Sequence, residues 1–268
     1  MKKLKGLFMI AGLLVLGACG NGNNTSGEVE SAADKEEVIV GLDDTFVPMG
    51  FRDENGELTG FDIDLATALF ELTDTKVKFQ PIDWVMKETE LDNGTIDMIW
   101  NGYTVTPERE EKVLFTEGYM RTYQVLVTTK ESGITTVEQM ADKELGAQEG
   151  SSGYKTFEEE PETLKDIVSN NDATLYASFN EAFIDLENKR IDGLLVDRVY
   201  AEYYLTQAGK GDNFNIVETA FEQEEFAVGV RKADEKLAEK INDGFATLKE
   251  NGTFKELGEK WFGEDISE

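Results

Sequence analysis

Histidine is absent from all 268 residues, and cysteine occurs once, at Cys19. The first absence removes Ser-His-Asp and Cys-His catalysis and imidazole metal sites together. The second removes disulfides and, once Cys19 is engaged elsewhere, cysteine nucleophiles and cysteine metal sites. Basic residues are scarce as well: 26 Lys and Arg stand against 55 Asp and Glu, a formal charge of −29. So acidic a surface repels phosphate backbones and argues against nucleic acid as a partner. It also lacks the Lys/Arg clusters with which a protein lies flat on an anionic membrane. After residue 19 no apolar run is long enough to cross a bilayer, and no kinase, channel or catalytic module is expected to follow. The acidic runs at 158–160 and at Glu222, Glu224 and Glu225 read as solvated faces. The sequence therefore implies no cofactor and no metal.

What is present begins at the N-terminus. Lys2, Lys3 and Lys5 precede twelve uncharged residues, Leu7 to Ala18, and then Leu16-Gly17-Ala18-Cys19. A basic start, a short apolar stretch and small residues at the break mark a secretory signal, residues 1–18. Twelve residues are too few for a transmembrane helix, which needs about 20. The Leu-Gly-Ala-Cys ending resembles the lipobox of bacterial lipoproteins, in which the cysteine carries lipid; an ordinary secretory peptide with a chance cysteine is the plainer alternative. Either way the mature chain is expected outside the cytoplasmic membrane; on the lipobox reading Cys19 is its anchor. Loss of residues 1–18 leaves 250 residues and moves the formal charge to −32. That length suggests two lobes. Residues 20–36 are Gly, Asn, Ser, Thr and acidic, and read as a disordered tether reaching roughly 25 Å.

From Glu37 strand-like and helix-like segments alternate. Strands are predicted at 37–42, 76–81, 96–101, 123–130, 144–148, 173–177, 191–196 and 226–231. Helices are predicted at 61–72, 87–93, 137–142, 180–189, 197–208 (closed by Gly209), 234–249 and 253–262. In the first helix Leu65, Leu69 and Leu72 recur at helical spacing. Such alternation argues for an α/β protein with parallel sheets and helices on both faces, and with ligands at the carboxyl ends of strands. No internal repeat is visible.

Several segments at those strand ends could carry chemistry. In Trp100-Asn101-Gly102-Tyr103-Thr104-Val105-Thr106-Pro107-Glu108-Arg109, Thr106 and Pro107 look like a capped helix start. Free N–H groups there and Arg109 on the first turn would make a carboxylate receptor; a capped helix with a surface arginine is the plainer alternative. Gly150-Ser151-Ser152-Gly153 follows the strand ending at Gln148 and offers a second anion cradle or a simple turn. It is not a P-loop, since no Gly-Lys-Ser/Thr follows. Asp197, after the strand ending at Val196, is an N-cap or a carboxylate facing an ammonium. Phe46 and Trp84 follow strands and could wall a pocket or merely pack.

These segments together resemble the family 3 extracellular solute-binding proteins, the polar amino-acid receptors of ABC importers. The likeness runs from about Glu37 to Phe262. It rests on Asp44-Thr45-Phe46-Val47-Pro48, Gly60-Phe61-Asp62-Ile63-Asp64-Leu65-Ala66, Gly94-Thr95-Ile96-Asp97, Thr104 to Arg109, Asn251-Gly252-Thr253-Phe254 and Lys260-Trp261-Phe262-Gly263. The resemblance implies a type II periplasmic-binding-protein-like fold of two α/β lobes. Lobe 1 would hold 37–119 and 226–268, lobe 2 would hold 124–221, and the hinge would lie at 119–123 and 222–225. It implies that Arg109 and the backbone N–H groups of Thr104 and Ser152, within the Ser151-Ser152 cradle, hold an α-carboxylate. Asp197, the Gly102 carbonyl and the Thr104 hydroxyl would hold the α-ammonium. Phe46 and Trp84 would sandwich the side chain, and Asp43, Asn101, Gln148 and Glu149 would shape its pocket. A zwitterion does need donors at one end and acceptors at the other, because buried charges left unpaired cost several kcal/mol.

The implied partners are a polar amino acid or a small derivative, and an ABC permease with its ATPase subunits. The chain would be a lipid-anchored monomer that catalyses nothing. Pro48-Met49-Gly50-Phe51 and Trp100-Asn101-Gly102-Tyr103 depart from the commoner family pattern. Together with the stretch 146–154 they look most like a Gram-positive subgroup that includes cystine- and glutathione-binding lipoproteins. Asp43 and Glu149 could instead meet a basic side chain such as arginine, and glutamine also fits. Two other classes stand beside this reading: a dehydratase on the same fold, and a sensory or adhesive ectodomain.

Overall fold

Val38, Val40, Gly41 and Leu42 are all buried in β1 (Glu37–Leu42), so this strand needs cover on both faces. The computed structural model of the chain describes residues 31–207 and 211–267. The signal segment, Cys19, the tether up to residue 30 and the expected helix end at Gly209 lie outside the described residues. The first part of the chain contains β2 (Thr45–Phe46), β3 (Gly50–Arg52), β4 (Leu58–Thr59), α1 (Phe61–Glu71), β5 (Lys76–Pro81) and α2 (Lys87–Asp92). Then come β6 (Met98–Ile99), α3 (Pro107–Glu110), β7 (Leu114–Phe115), β8 (Met120–Thr122) and β9 (Gln124–Thr129). The second part holds β10 (Leu145–Gln148), α4 (Ser152–Glu159), β11 (Ala173–Tyr176), α5 (Phe179–Glu187), β12 (Gly193–Asp197), α6 (Arg198–Gln207) and β13 (Phe214–Glu218). It closes with β14 (Glu224–Phe226), β15 (Gly229–Val230), α7 (Glu235–Glu250) and α8 (Thr253–Phe262).

Two five-stranded sheets result, ordered β5-β1-β6-β15-β7 and β11-β10-β12-β9-β13. The expectation of wholly parallel sheets is corrected here. β15 runs antiparallel to β6 and β7, and β9 antiparallel to β12 and β13. Both strands are entered directly from the other half, with no helix between: β8 leads into β9, and β14 into β15. A chain arriving at the carboxyl edge of a parallel sheet can only run back through it in the opposite sense. β8 and β14 pair antiparallel as a two-stranded ribbon. Both sheets share one strand order, a repeat of topology that the sequence does not display.

Helices cover both faces, as the alternation implies. In the first sheet Val38, Val40 and Met98 pack with Leu65 and Leu69 of α1 and Leu237, Ile241, Phe245 and Leu248 of α7. On the other face Ile39, Ile96 and Ile99 meet Leu91 of α2. In the second sheet Val125, Val127, Leu194 and Val196 face Phe183 and Leu186 of α5 and Tyr200 of α6. Leu126, Leu145, Ala147 and Leu195 face Phe157 of α4 on the opposite side. Some elements are shorter than predicted: 96–101 yields only Met98–Ile99, and 137–142 a 3-10 turn, Val137–Met140.

The tether is also shorter than predicted. Ser31 to Glu36 pack on the first half instead of trailing free. Ala32 is fully buried, and Ser31 caps a 3-10 turn, Ala32–Asp34. Lys35 Nζ lies 2.7 Å from Asp97 Oδ1. The anchor point is Asp234, whose carboxylate accepts from Ser31 Oγ, from Ala32 N at 2.9 Å and from Leu237 N at 3.3 Å. One buried side chain thus caps α7 and fastens the N-terminal segment. Asp234→Ala strands two of these N–H donors. We expect it to cost about 2–3 kcal/mol, lowering Tm by roughly 5–10 °C; a melting curve matching wild type contradicts this role.

Candidate ligand-binding site

The carboxyl ends of the parallel strands supply the polar side chains. Asp43 follows β1, Asn101, Gly102 and Thr104 follow β6, Ser151 and Ser152 follow β10, and Asp197 is the last residue of β12. Together with Phe46, Trp84, Arg109 and Gln148 these residues surround one small cavity of ≈ 20 Å³. The structure therefore brings eleven of the twelve predicted site residues to one place. Glu149 is the exception. Successive residues at a strand end point to opposite sides, and with Gln148 turned to the cavity, Glu149 is exposed; only its N–H is engaged, by the Tyr176 carbonyl at 2.9 Å.

Arg109 is buried and its acceptors come from both halves. Nη1 donates to the Thr104 carbonyl at 2.9 Å and Nη2 to the Gly150 carbonyl at 3.1 Å, and the guanidinium lies 4.5 Å from the Tyr103 ring centroid. The predicted helix start there is a single turn, Pro107–Glu110, and its cap, Thr106 Oγ1, takes the Arg109 N–H. The side chain, not a helix end, is thus the cationic element. Lys87 lies beside it, donating to the Trp84 and Gly150 carbonyls at 3.0 and 3.2 Å. Burial, and then the charge of Arg109, lowers its pKa to about 8.

Further hydrogen bonds join the halves across the cavity. The Thr104 and Ser152 hydroxyls are 3.0 Å apart, and Gln148 Nε2 donates to Asp43 Oδ2 at 2.7 Å. At the rim Lys155 Nζ lies 2.9 Å from Glu108 Oε2. The Ser151 hydroxyl is occupied locally: it accepts from Tyr154 N at 3.1 Å as the N-cap of α4 and donates to the Gln148 carbonyl. Asp197 Oδ1 accepts from Gln124 Nε2 at 3.0 Å. Burial, then the neighbouring charge of Glu224, raises its pKa to about 8. Burial likewise raises that of Asp43. Among the described residues Arg109 has no carboxylate and Asp197 no cation at ion-pair distance. One cavity therefore contains a buried guanidinium and a buried carboxyl group, each without an ion-pair partner among the described residues, and an ammonium beside Asp197 would favour its ionised form.

The aromatic walls are Phe46, which packs on Phe179 and Tyr200 with centroids 5.6 Å away in each case, and Trp84, edge-on to Tyr103 at 5.9 Å. Sequence reasoning missed Phe179, although its place at the start of a helix after β11 is the signal that selected Asp197. It also missed Lys87, Gln124 and Glu224. Glu224, read as solvated, accepts instead from Gln124 Nε2, Ser152 Oγ and Thr156 Oγ1. Gly102 has φ +54°, and a Cβ there would sit 2.6 Å from the Phe46 ring, so the loop tolerates no side chain.

The comparisons with known proteins follow the same geometry. Residues 38–264 match the model of the bacterial extracellular solute-binding proteins, family 3, and the chain belongs to that family. It is 30% identical over 266 residues to the L-cystine-binding protein TcyJ of Escherichia coli K12, covering 98% of this chain and 96% of that one. A crystal structure of an ABC uptake transporter substrate-binding protein from Streptococcus pneumoniae with bound histidine is 56% identical, with a TM-score of 0.86 over 87% of this chain and 95% of that one. A polar amino acid substrate-binding protein from Streptococcus thermophilus is 54% identical, with a TM-score of 0.57 over 87% and 89%. The fold is the two-lobed type II periplasmic-binding-protein fold. No helix among the described residues is long and apolar enough to cross a membrane.

The loop bearing Gly102 and Thr104 is held from behind by Asp62 at the start of α1. Its Oδ2 accepts from Gly102 N at 2.7 Å and from the Tyr119 hydroxyl at 2.9 Å. Burial raises its pKa to about 7, whereas in an unfolded chain it ionises near 4. Between about pH 4 and 7 the folded state keeps a proton that the unfolded state has lost, so stability from this group falls as pH rises through that window. Asp62→Asn cannot ionise. Its Tm relative to wild type is expected to climb as pH rises from 4 to 7; a difference independent of pH contradicts the assignment.

Proposed function

We propose that this chain is the solute receptor of an ABC importer, that it captures one free amino acid in the cavity between its two sheets, and that L-histidine is its ligand. The observation that carries the reading is the pairing of opposite buried charges, Arg109 and Asp197, in one cavity. A zwitterion supplies both missing counter-ions at once, and charges left unpaired in a protein interior are costly. In this reading Arg109 and the N–H groups of Thr104 and Ser152 hold the carboxylate. Asp197, the Gly102 carbonyl and the Thr104 hydroxyl hold the ammonium, and Phe46 and Trp84 flank the side chain. Asp43, Asn101 and Gln148 meet its polar end. A carboxylate there favours a side chain with N–H donors, which histidine has, and histidine is the ligand seen in the 56% identical pneumococcal protein.

The part played by closure belongs to the same proposal. Lobe 1 comprises the first sheet with residues 31–119 and 226–267, lobe 2 the second sheet with 124–221, and the β8–β14 ribbon is the hinge. Two relatives of nearly equal identity superpose with TM-scores of 0.86 and 0.57, as expected of a molecule whose lobes take up different relative positions. Lipidation at Cys19 would hold a monomeric receptor at the outer face of a Gram-positive membrane, near its permease and ATPase subunits. No chemical step is assigned to it.

Free histidine at about 100 times its Kd is expected to stabilise the protein by about 2.7 kcal/mol, raising Tm by roughly 5–10 °C. A panel with arginine, glutamine, cystine and glutathione ranks the alternatives. Arg109→Ala and Asp197→Ala should fold and lose the shift. A shift retained in both variants, or no shift with any of these compounds, overturns the proposal.

A further inference from the structure

Glu224 lies on β14, in the ribbon that joins the two sheets, yet its carboxylate points at the ligand cavity's polar network. Oε2 accepts from Gln124 Nε2 at 3.0 Å and from Ser152 Oγ at 3.2 Å, and Oε1 accepts from Thr156 Oγ1 at 3.3 Å. The same Gln124 amide donates to Asp197 Oδ1 at 3.0 Å, and the same Ser152 hydroxyl is 3.0 Å from that of Thr104. Two carboxylates, one in the second sheet and one in the crossover, are thus bridged by a single amide NH₂. The arrangement is under tension electrostatically, since like charges this near destabilise one another. Gln124 adds a further acceptor: its Oε1 is buried with no hydrogen-bond partner among the described residues. The charge of Arg109 acts on Asp197 from the first half. Glu160 at the end of α4 and Glu222 are both acidic, and Glu222 and Glu224 both raise the Glu160 pKa.

We propose that Glu224 is the positioning residue of the ammonium subsite: through Gln124 and Ser152 it adds a second carboxylate to that subsite, so that the receptor selects an α-ammonium over a neutral α-substituent and the crossover strand is tied to the ligand. The inference rests on the amino-acid reading above. It explains why a polar Gln heads the apolar strand β9, and why an acidic residue of the crossover is turned inward while its neighbour Glu225 is exposed. A ligand ammonium entering beside Asp197 offers N–H donors to the Gln124 Oε1 and relieves the repulsion between the two carboxylates. A neutral hydroxyl in its place relieves none of it.

The test compares Kd for L-histidine and for its α-hydroxy counterpart, imidazole-lactate, by calorimetry. The two share carboxylate and imidazole and differ only at the ammonium. Glu224→Gln keeps size and loses charge; we expect it to lower the preference for histidine over the hydroxy acid by about tenfold, with ligand-free Tm close to wild type. Glu224→Asp, which keeps the charge, should retain most of the preference. A purely structural role weakens both ligands alike, so an unchanged preference in Glu224→Gln overturns the proposal. In wild type, which needs no variant to fold, the preference should shrink as pH falls from 8 to 5.5, because burial, and then the Glu224 charge, raises the Asp197 pKa and Asp197 takes up a proton over that range. A flat preference over that range also overturns it. If wild type binds neither compound nor any other amino acid, the failure is that of the receptor reading itself.

Discussion

A buried guanidinium has to be surrounded by acceptors, and Arg109 draws its acceptors from both halves of the molecule. The Thr104 carbonyl comes from its own loop and the Gly150 carbonyl from the far side of the cavity. Both are neutral, so the positive charge is solvated by dipoles without being neutralised. That condition sets the chemistry of the whole cavity. It demands an anion, and the buried Asp197 demands a cation. Lys87, which donates to the same Gly150 carbonyl, adds to the positive end without relieving it.

Topology is what allows these groups to meet. Parallel strands deliver their carboxyl ends, and the loops after them, to one edge of each sheet. The chain crosses between the halves twice through the β8–β14 ribbon, and this places the two carboxyl edges face to face. The crossing is also why each sheet has one antiparallel strand. The loops carry the function while the α1, α7 and α8 packing of the first half and the α4, α5 and α6 packing of the second keep them in place. Asp62 joins the two roles: it belongs to a core helix but holds Gly102, and so sets the loop that bears Thr104.

Much of this was legible in the sequence because it is local. The apolar run 37–42 and the alternation along 76–81 depend on near neighbours and came through with their boundaries, and the helix carrying Leu65 and Leu69 ends one residue earlier than expected. Asp197 stood out at the end of an apolar strand, as a cap or a ligand group, whereas Asp43, Asn101 and Gln148 were implied only by the family resemblance. What did not come through depends on partners distant in the chain. Glu224 sits in an acidic run that any surface could display, and only Gln124, 100 residues away, reveals its orientation. Ser31 and Ala32 have a tether-like composition, yet Asp234, more than 200 residues on, fixes them. Strand sense in β9 and β15 follows from the crossover and leaves no mark in local pattern. The outward turn of Glu149 has a smaller cause: the one-residue alternation of β10 points it away where Gln148 turns in.

The central claim is that ligand charge, acting through Arg109, joins the two lobes. Small-angle X-ray scattering of the soluble chain with and without histidine tests it most directly. The account predicts a fall in the radius of gyration when histidine is added to the wild-type protein, and no change when it is added to Arg109→Ala. Compaction of equal size in both proteins, or a radius of gyration that does not respond in a wild-type sample shown to have bound histidine, would contradict it.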